Sequence, residues 1–151
     1  MQYATQRVMK RAIKPLLAAG LSAAMLLGTA AWAATPAPEG VRVYFIDIAD
    51  GDRLESPFTL RFGLSGMGVA PAGVDMPKTG HHHLLIDVDT PPAAGTPIPA
   101  DEHHVHFGAG QTEAQIELAP GTHTLQLLLG DAFHRPHEPA VMSEKITVTV
   151  E

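Results

Sequence analysis

The chain is punctuated at short intervals by glycine and proline, and between those breaks its apolar residues recur at every second position. Phe58, Leu60, Phe62 and Leu64 alternate with Thr59, Arg61, Gly63 and Ser65. Ala114, Ile116 and Leu118 alternate with Glu113, Gln115 and Glu117, and Ile146, Val148 and Val150 alternate with Lys145, Thr147 and Thr149. A period of two places one set of side chains on a buried face and the other in solvent, which is the pattern of a half-buried strand and incompatible with an amphipathic helix. Further strand-like runs are Val41 to Ile48, His81 to Val88 and Thr122 to Leu129. Ala49-Asp50-Gly51-Asp52 and Pro120-Gly121 read as turns, whereas Gly66 to Gly80, Thr90 to Pro99 and Asp131 to Pro139 read as loops. The expected fold is therefore all-β, an immunoglobulin-like antiparallel β-sandwich of about seven strands over residues 41–151.

The first 33 residues stand apart from this pattern. Arg7, Lys10, Arg11 and Lys14 precede an apolar run from Leu16 to Leu27, and Ala31-Trp32-Ala33 follows. A basic start, a short apolar run and small residues at −3 and −1 define a signal peptide, with cleavage expected after Ala33. The run is too short to serve as a membrane span. Residues 34–40 then read as a Pro/Ala linker, and the expected location is the periplasm of a Gram-negative-type envelope.

Beyond Ala33 lie all 16 acidic residues but only six of the ten basic ones, a net charge of −10. That balance excludes a nucleic-acid partner, whose phosphates need lysine and arginine. The chain contains no cysteine, so neither disulfides nor thiolate ligands are available. Any metal has to be held by nitrogen and oxygen donors, with thioether sulfur as the remaining choice.

Nine histidines supply the nitrogen. They fall as His81-His82-His83, His103-His104 with His106, His123, and His134 with His137. In a strand, positions i and i+2 share a face about 6.6 Å apart, so His81 and His83 can turn toward one ion, as can His104 and His106. His82 and His103 point the opposite way. His134 and His137 sit in a proline-stiffened loop expected at the same end of the sandwich as the loop that leads into His81. His123 follows Pro120-Gly121 at a sandwich corner, where a ring that bonds back across the turn is a structural device. The candidate ligands are thus His81, His83, His104, His106, His134 and His137, and the candidate cofactor is a divalent transition metal, copper or zinc. Asp101 and Glu102 read as a solvated turn and Met67, Met76 and Met142 as gap-filling residues, with Met142 in the core by parity with Ile146 and Val148.

Catalysis is disfavoured. Ser56, Ser65 and Ser143 lack a Gly-x-Ser-x-Gly context, no substrate cleft is evident, and no catalytic residue is assigned. The expected function is a periplasmic metal carrier, buffer or sensor whose partners are the ion and another envelope protein, with no membrane span after cleavage. A metal-independent accessory or interaction domain is the alternative, and a small metal-dependent enzyme a more distant one.

Four stretches carry a resemblance: Gly66 to Asp75, Thr79 to Asp87, Ile98 to Gly108 and Gly121 to Asp131. Through them the chain resembles the exported bacterial family called domain of unknown function 4399, over about Val41 to Val150. The resemblance implies an exported single-domain protein and assigns it no activity.

Overall fold

The computed structural model describes residues 33–151. The expected signal peptide falls on residues 1–33, of which 1–32 lie outside the described residues. Among the described residues every regular element is a strand: β1 (Arg42–Ile46), β2 (Arg53–Leu54), β3 (Phe58–Ser65), β4 (Gly68–Val69), β5 (Thr79–Ile86), β6 (His104–His106), β7 (Glu113–Ile116), β8 (Gly121–Gly130) and β9 (Ile146–Val150). They form two sheets, as the alternating pattern requires. The smaller has the order β1-β3-β7, and the larger has the order β2-β9-β8-β5-β4 with β6 also paired to β5.

Strand direction and the Gly66 to Gly80 stretch differ from the sequence expectation. The long pairings are antiparallel, but β2 with β9 and β4 with β5 run parallel. The stretch from Gly66 to Gly80, expected to hold no regular structure, contains β4, which hydrogen-bonds along the start of β5. Such two-residue strands are too short to show a period, so the pattern cannot reveal them.

Between the sheets lies the main core. Val43, Phe58, Leu60 and Phe62 of the small sheet face Leu84, Ile86, Leu125, Leu127, Leu129 and Val148 of the large one, all buried. The pairing of β5 with β8 sets Leu84 opposite Leu127 and Ile86 opposite Leu125, so the core-facing residues of the two central strands match across the ladder. His82 shares this face opposite Leu129. It is fully buried, with its ring 5.2 Å from that of Phe62.

The other face of the large sheet is also covered. Leu85 and Leu128 pack with Ile98 of the proline-rich loop and with Val88 in a second apolar cluster. That loop is fastened to the 131–139 loop by the Ile98 amide, which donates to the His134 carbonyl at 2.8 Å. Residues 35–37, expected to be linker, are tied to the same loop. The Glu138 amide donates to the Thr35 carbonyl at 2.9 Å, and the Ala37 amide donates to the Glu138 carbonyl at 3.0 Å. The layers are therefore small sheet, large sheet and a coat of loops.

Met142 corrects the parity argument. Its side chain is exposed, whereas Val141 is buried. Met142 is bridged to Leu128 while Ile146 pairs with Leu125, so three steps along β8 are matched by four on the facing chain. An extra residue of this kind is a bulge, and it exchanges the faces on either side.

Leu127 of β8 belongs to the main core and is fully buried. Replacing Leu127 with alanine is expected to lower the unfolding free energy by about 2–5 kcal/mol, read from the midpoint of urea denaturation at constant slope.

Candidate metal centre

The side of β5 that carries His81, His83 and Leu85 faces the loop coat. Its register with β8 sets His81 opposite Gly130 and His83 opposite Leu128. Its register with β6 sets His83 opposite His106 and Leu85 opposite His104. Each i, i+2 pair shares a face, but only His106 lies beside the β5 histidines. His134 reaches the same place from the 131–139 loop.

These four imidazoles form one cluster. Ring centroids are 4.9 Å apart for His81 and His83, 5.0 Å for His81 and His106, and 4.9 Å for His81 and His134. The remaining separations are 4.9 Å for His83 and His106, 6.1 Å for His83 and His134, and 4.4 Å for His106 and His134. Four imidazoles arranged tetrahedrally about one ion, with metal–nitrogen bonds of about 2.0–2.1 Å, would have centroids roughly 5.2 Å apart. One nitrogen from each of His81, His83 and His106 lies within 4.8 Å of the others. Ligation requires these nitrogens to close to about 3.3 Å, a change that ring rotations can supply. The His134 and His106 Nε2 atoms are already 2.9 Å apart, one donating its proton to the lone pair of the other.

Two glycines make the room. A Cβ on Gly130 would come within 2.8 Å of His83 Nε2, and one on Gly108 within 2.2 Å of His106 Cε1 and 2.5 Å of its Nε2. Neither glycine has a positive φ, so each is required for space rather than for backbone conformation.

Burial sets the protonation state. His81 and His83 are 0 % and 1 % exposed, and among the described residues neither ring nitrogen of either has a hydrogen-bond partner. Burial, then the positive charge that His106 and His134 would carry, lowers the His81 pKa to about 4, with Asp131 opposing. Burial and the neighbouring His81, His106 and His134 lower His83 to about 3. Burial and His134 lower His106 as well. His81 and His83 are thus neutral at pH 7, with a lone pair available to a metal. An unpartnered buried polar group costs about 1–3 kcal/mol, so this donor set suits an ion that would use those lone pairs.

The other five histidines are placed elsewhere. His104 turns toward Asp101, Nδ1 to Oδ1 2.7 Å, and holds that carboxyl below its ordinary range. His137 is fully buried with Nδ1 3.4 Å from the Leu129 carbonyl, because the bridge between Gly130 and Pro136 carries the chain back alongside β8. His82 lies in the core, where burial lowers its pKa and the Gln111 backbone partly offsets this. His103 contacts the Ile86 carbonyl through Nδ1 at 2.9 Å. His123 spans the corner, with Nε2 2.9 Å from the Ala119 carbonyl and Nδ1 2.7 Å from Asp87. The Asp87 hydrogen bond raises its pKa above the ordinary value. Met67 packs against the core and Met76 is exposed.

The loop leading toward His81 and the loop bearing His134 do meet, since the Gly73 amide donates to the Ala132 carbonyl at 2.9 Å. Gly108, Gly130 and the role of Ile98 were not identified from sequence. A glycine beside a histidine-bearing strand is a visible signal only once the register is known.

A family model described as a domain of unknown function, DUF4399, matches residues 60–151. The chain belongs to this DUF4399 family. The matched span includes all four clustered histidines and both glycines beneath them. No curated protein and no solved structure matches the chain.

Depressed histidine pKa values make the metal-free protein acid-labile. The unfolded chain takes up protons at about the ordinary 6.5, whereas the folded protein resists until about 4 at His81 and about 3 at His83. The unfolded state therefore binds more protons throughout that window, and stability falls as pH falls from 6.5 toward 4. Urea midpoints measured across this range should decline, and His81→Leu should flatten the decline. A midpoint that stays level would contradict the burial of neutral rings.

Proposed function

We propose that this domain is a metal-binding protein of the bacterial envelope, a carrier, buffer or sensor for a divalent transition metal held by His81, His83, His106 and His134. The observation that carries this reading is the convergence of four imidazoles from three chain segments, two of them fully buried with no hydrogen-bond partner for either nitrogen among the described residues. Neutral imidazole ligates both zinc and copper. The spacing favours zinc. Four imidazoles in a square plane would leave both diagonal pairs roughly 6.4 Å apart at metal–nitrogen bonds of this length. Only His83 and His134, at 6.1 Å, approach that distance, while His81 and His106 are 5.0 Å apart.

A four-nitrogen set closes the coordination sphere, whereas hydrolytic zinc sites keep one position open for water. That argument supports storage, transport or sensing over catalysis. The envelope location rests on the basic, apolar and small-residue sequence of the first 33 residues, and the lack of cysteine is in keeping with an all-imidazole site in an oxidising compartment.

Protein purified from its own envelope without a histidine tag is expected to contain about one zinc per chain by elemental analysis. In calorimetry, His83→Ala with His106→Ala should abolish zinc binding, while His104→Ala should leave the stoichiometry unchanged. Gly130→Ala should weaken binding by displacing the His83 ring, and should cost about 1–3 kcal/mol of metal-free stability because the added methyl overpacks a buried site. Full stoichiometric binding by the double variant would overturn the reading.

A further inference from the structure

His134 differs from the other three candidate ligands in being carried by a loop rather than a strand. Its φ is +59°, a left-handed conformation uncommon outside glycine and held only where the surroundings dictate it. The surroundings that dictate it converge on Asp131, which is 2 % exposed. Its Oδ1 accepts from the amides of Phe133 at 2.9 Å and Arg135 at 3.0 Å. Its Oδ2 accepts from the Thr35 hydroxyl at 2.7 Å and from Arg135 Nη2 at 3.1 Å. Its own carbonyl accepts from the His134 amide at 3.0 Å, and its amide donates to the Arg135 carbonyl at 2.8 Å. The Arg135 guanidinium lies 5.0 Å from the centre of the Phe133 ring, bracing the same turn.

One side chain therefore satisfies the amides on both sides of His134, and its main chain closes the turn that contains it. From outside the turn, the Ile98 amide donates to the His134 carbonyl at 2.8 Å and the Gly73 amide to the Ala132 carbonyl at 2.9 Å. We infer that Asp131 is the positioning residue that delivers His134 as the fourth ligand, with Thr35 of the N-terminal segment completing the lock. This rests on the metal reading above. Three ligands come with the sheet, and the fourth depends on a buried carboxylate that never touches the ion.

The test is a cobalt(II) titration, followed by visible absorption, of the full chain and of Asp131→Ala, His134→Ala and the double variant. Loss of a partner that orients a ligand typically weakens metal binding by about 10- to 100-fold. Asp131→Ala is expected to weaken cobalt binding by that factor and to take on the absorption spectrum of His134→Ala. The double variant should bind no more weakly than His134→Ala, because the two substitutions remove the same ligand. Asp131→Asn keeps the Oδ1 acceptor for the two loop amides and should fall between Asp131→Ala and the unsubstituted chain. It is read in the same cycle should circular dichroism show that the alanine variant does not fold. An Asp131 variant with unchanged affinity and spectrum, or losses that multiply in the double variant, would overturn the positioning role alone. Failure of the unsubstituted chain to bind either cobalt or zinc would overturn the metal reading and this inference together.

Discussion

The antiparallel ladder between β5 and β8 fixes six consecutive facing pairs, from His81 opposite Gly130 to Ile86 opposite Leu125. Because side chains alternate, that single register decides two things at once. On one face it aligns Leu84 with Leu127 and Ile86 with Leu125, building the apolar contact between the sheets. On the other it sets His81 opposite Gly130, whose lack of a side chain leaves room for the His83 ring. A slip of one residue would bring the histidines into the core and the leucines against the loops, so the fold and the candidate site share one determinant.

Gathering four imidazoles, two of them fully buried, is electrostatically costly unless they stay neutral. The depressed pKa values of His81, His83 and His106 express that cost, since each ring is held neutral both by burial and by its neighbours. The apolar sandwich beneath supplies the stability that tolerates it. His123 shows the opposite case at the far end of β8, where Asp87 and the Ala119 carbonyl both accept from the ring and favour its charged form. Identical side chains thus serve opposite electrostatic roles within one strand pair, according to what lies within hydrogen-bond reach.

Much of the architecture is legible in the alternation of residues such as Phe58, Leu60 and Phe62, because a strand with one buried face must have period two. Parity also separates His82 from His81 and His83. It does not tell His106 from His104, since both share the correct face, and only the pairing of His106 with His83 distinguishes them. Met142 shows where parity itself fails, because the extra residue between it and Ile146 exchanges the faces. Short-range pattern carries no information about such an insertion until the partner strand is in place.

The sequence by itself determined the fold class, the absence of thiol chemistry, the family resemblance and the set of histidines from which a site could be drawn. The resemblance rests on four sequence motifs and the rest on composition and local periodicity, all of them properties of the unfolded chain as much as of the folded one. Only the tertiary structure decided that His81, His83, His106 and His134 meet, that Gly108 and Gly130 make space for them, and that Asp131 shapes the turn bearing His134. Those relations join residues far apart along the chain through strand register and loop closure, and register is settled by the packing of whole faces rather than by any neighbouring residue.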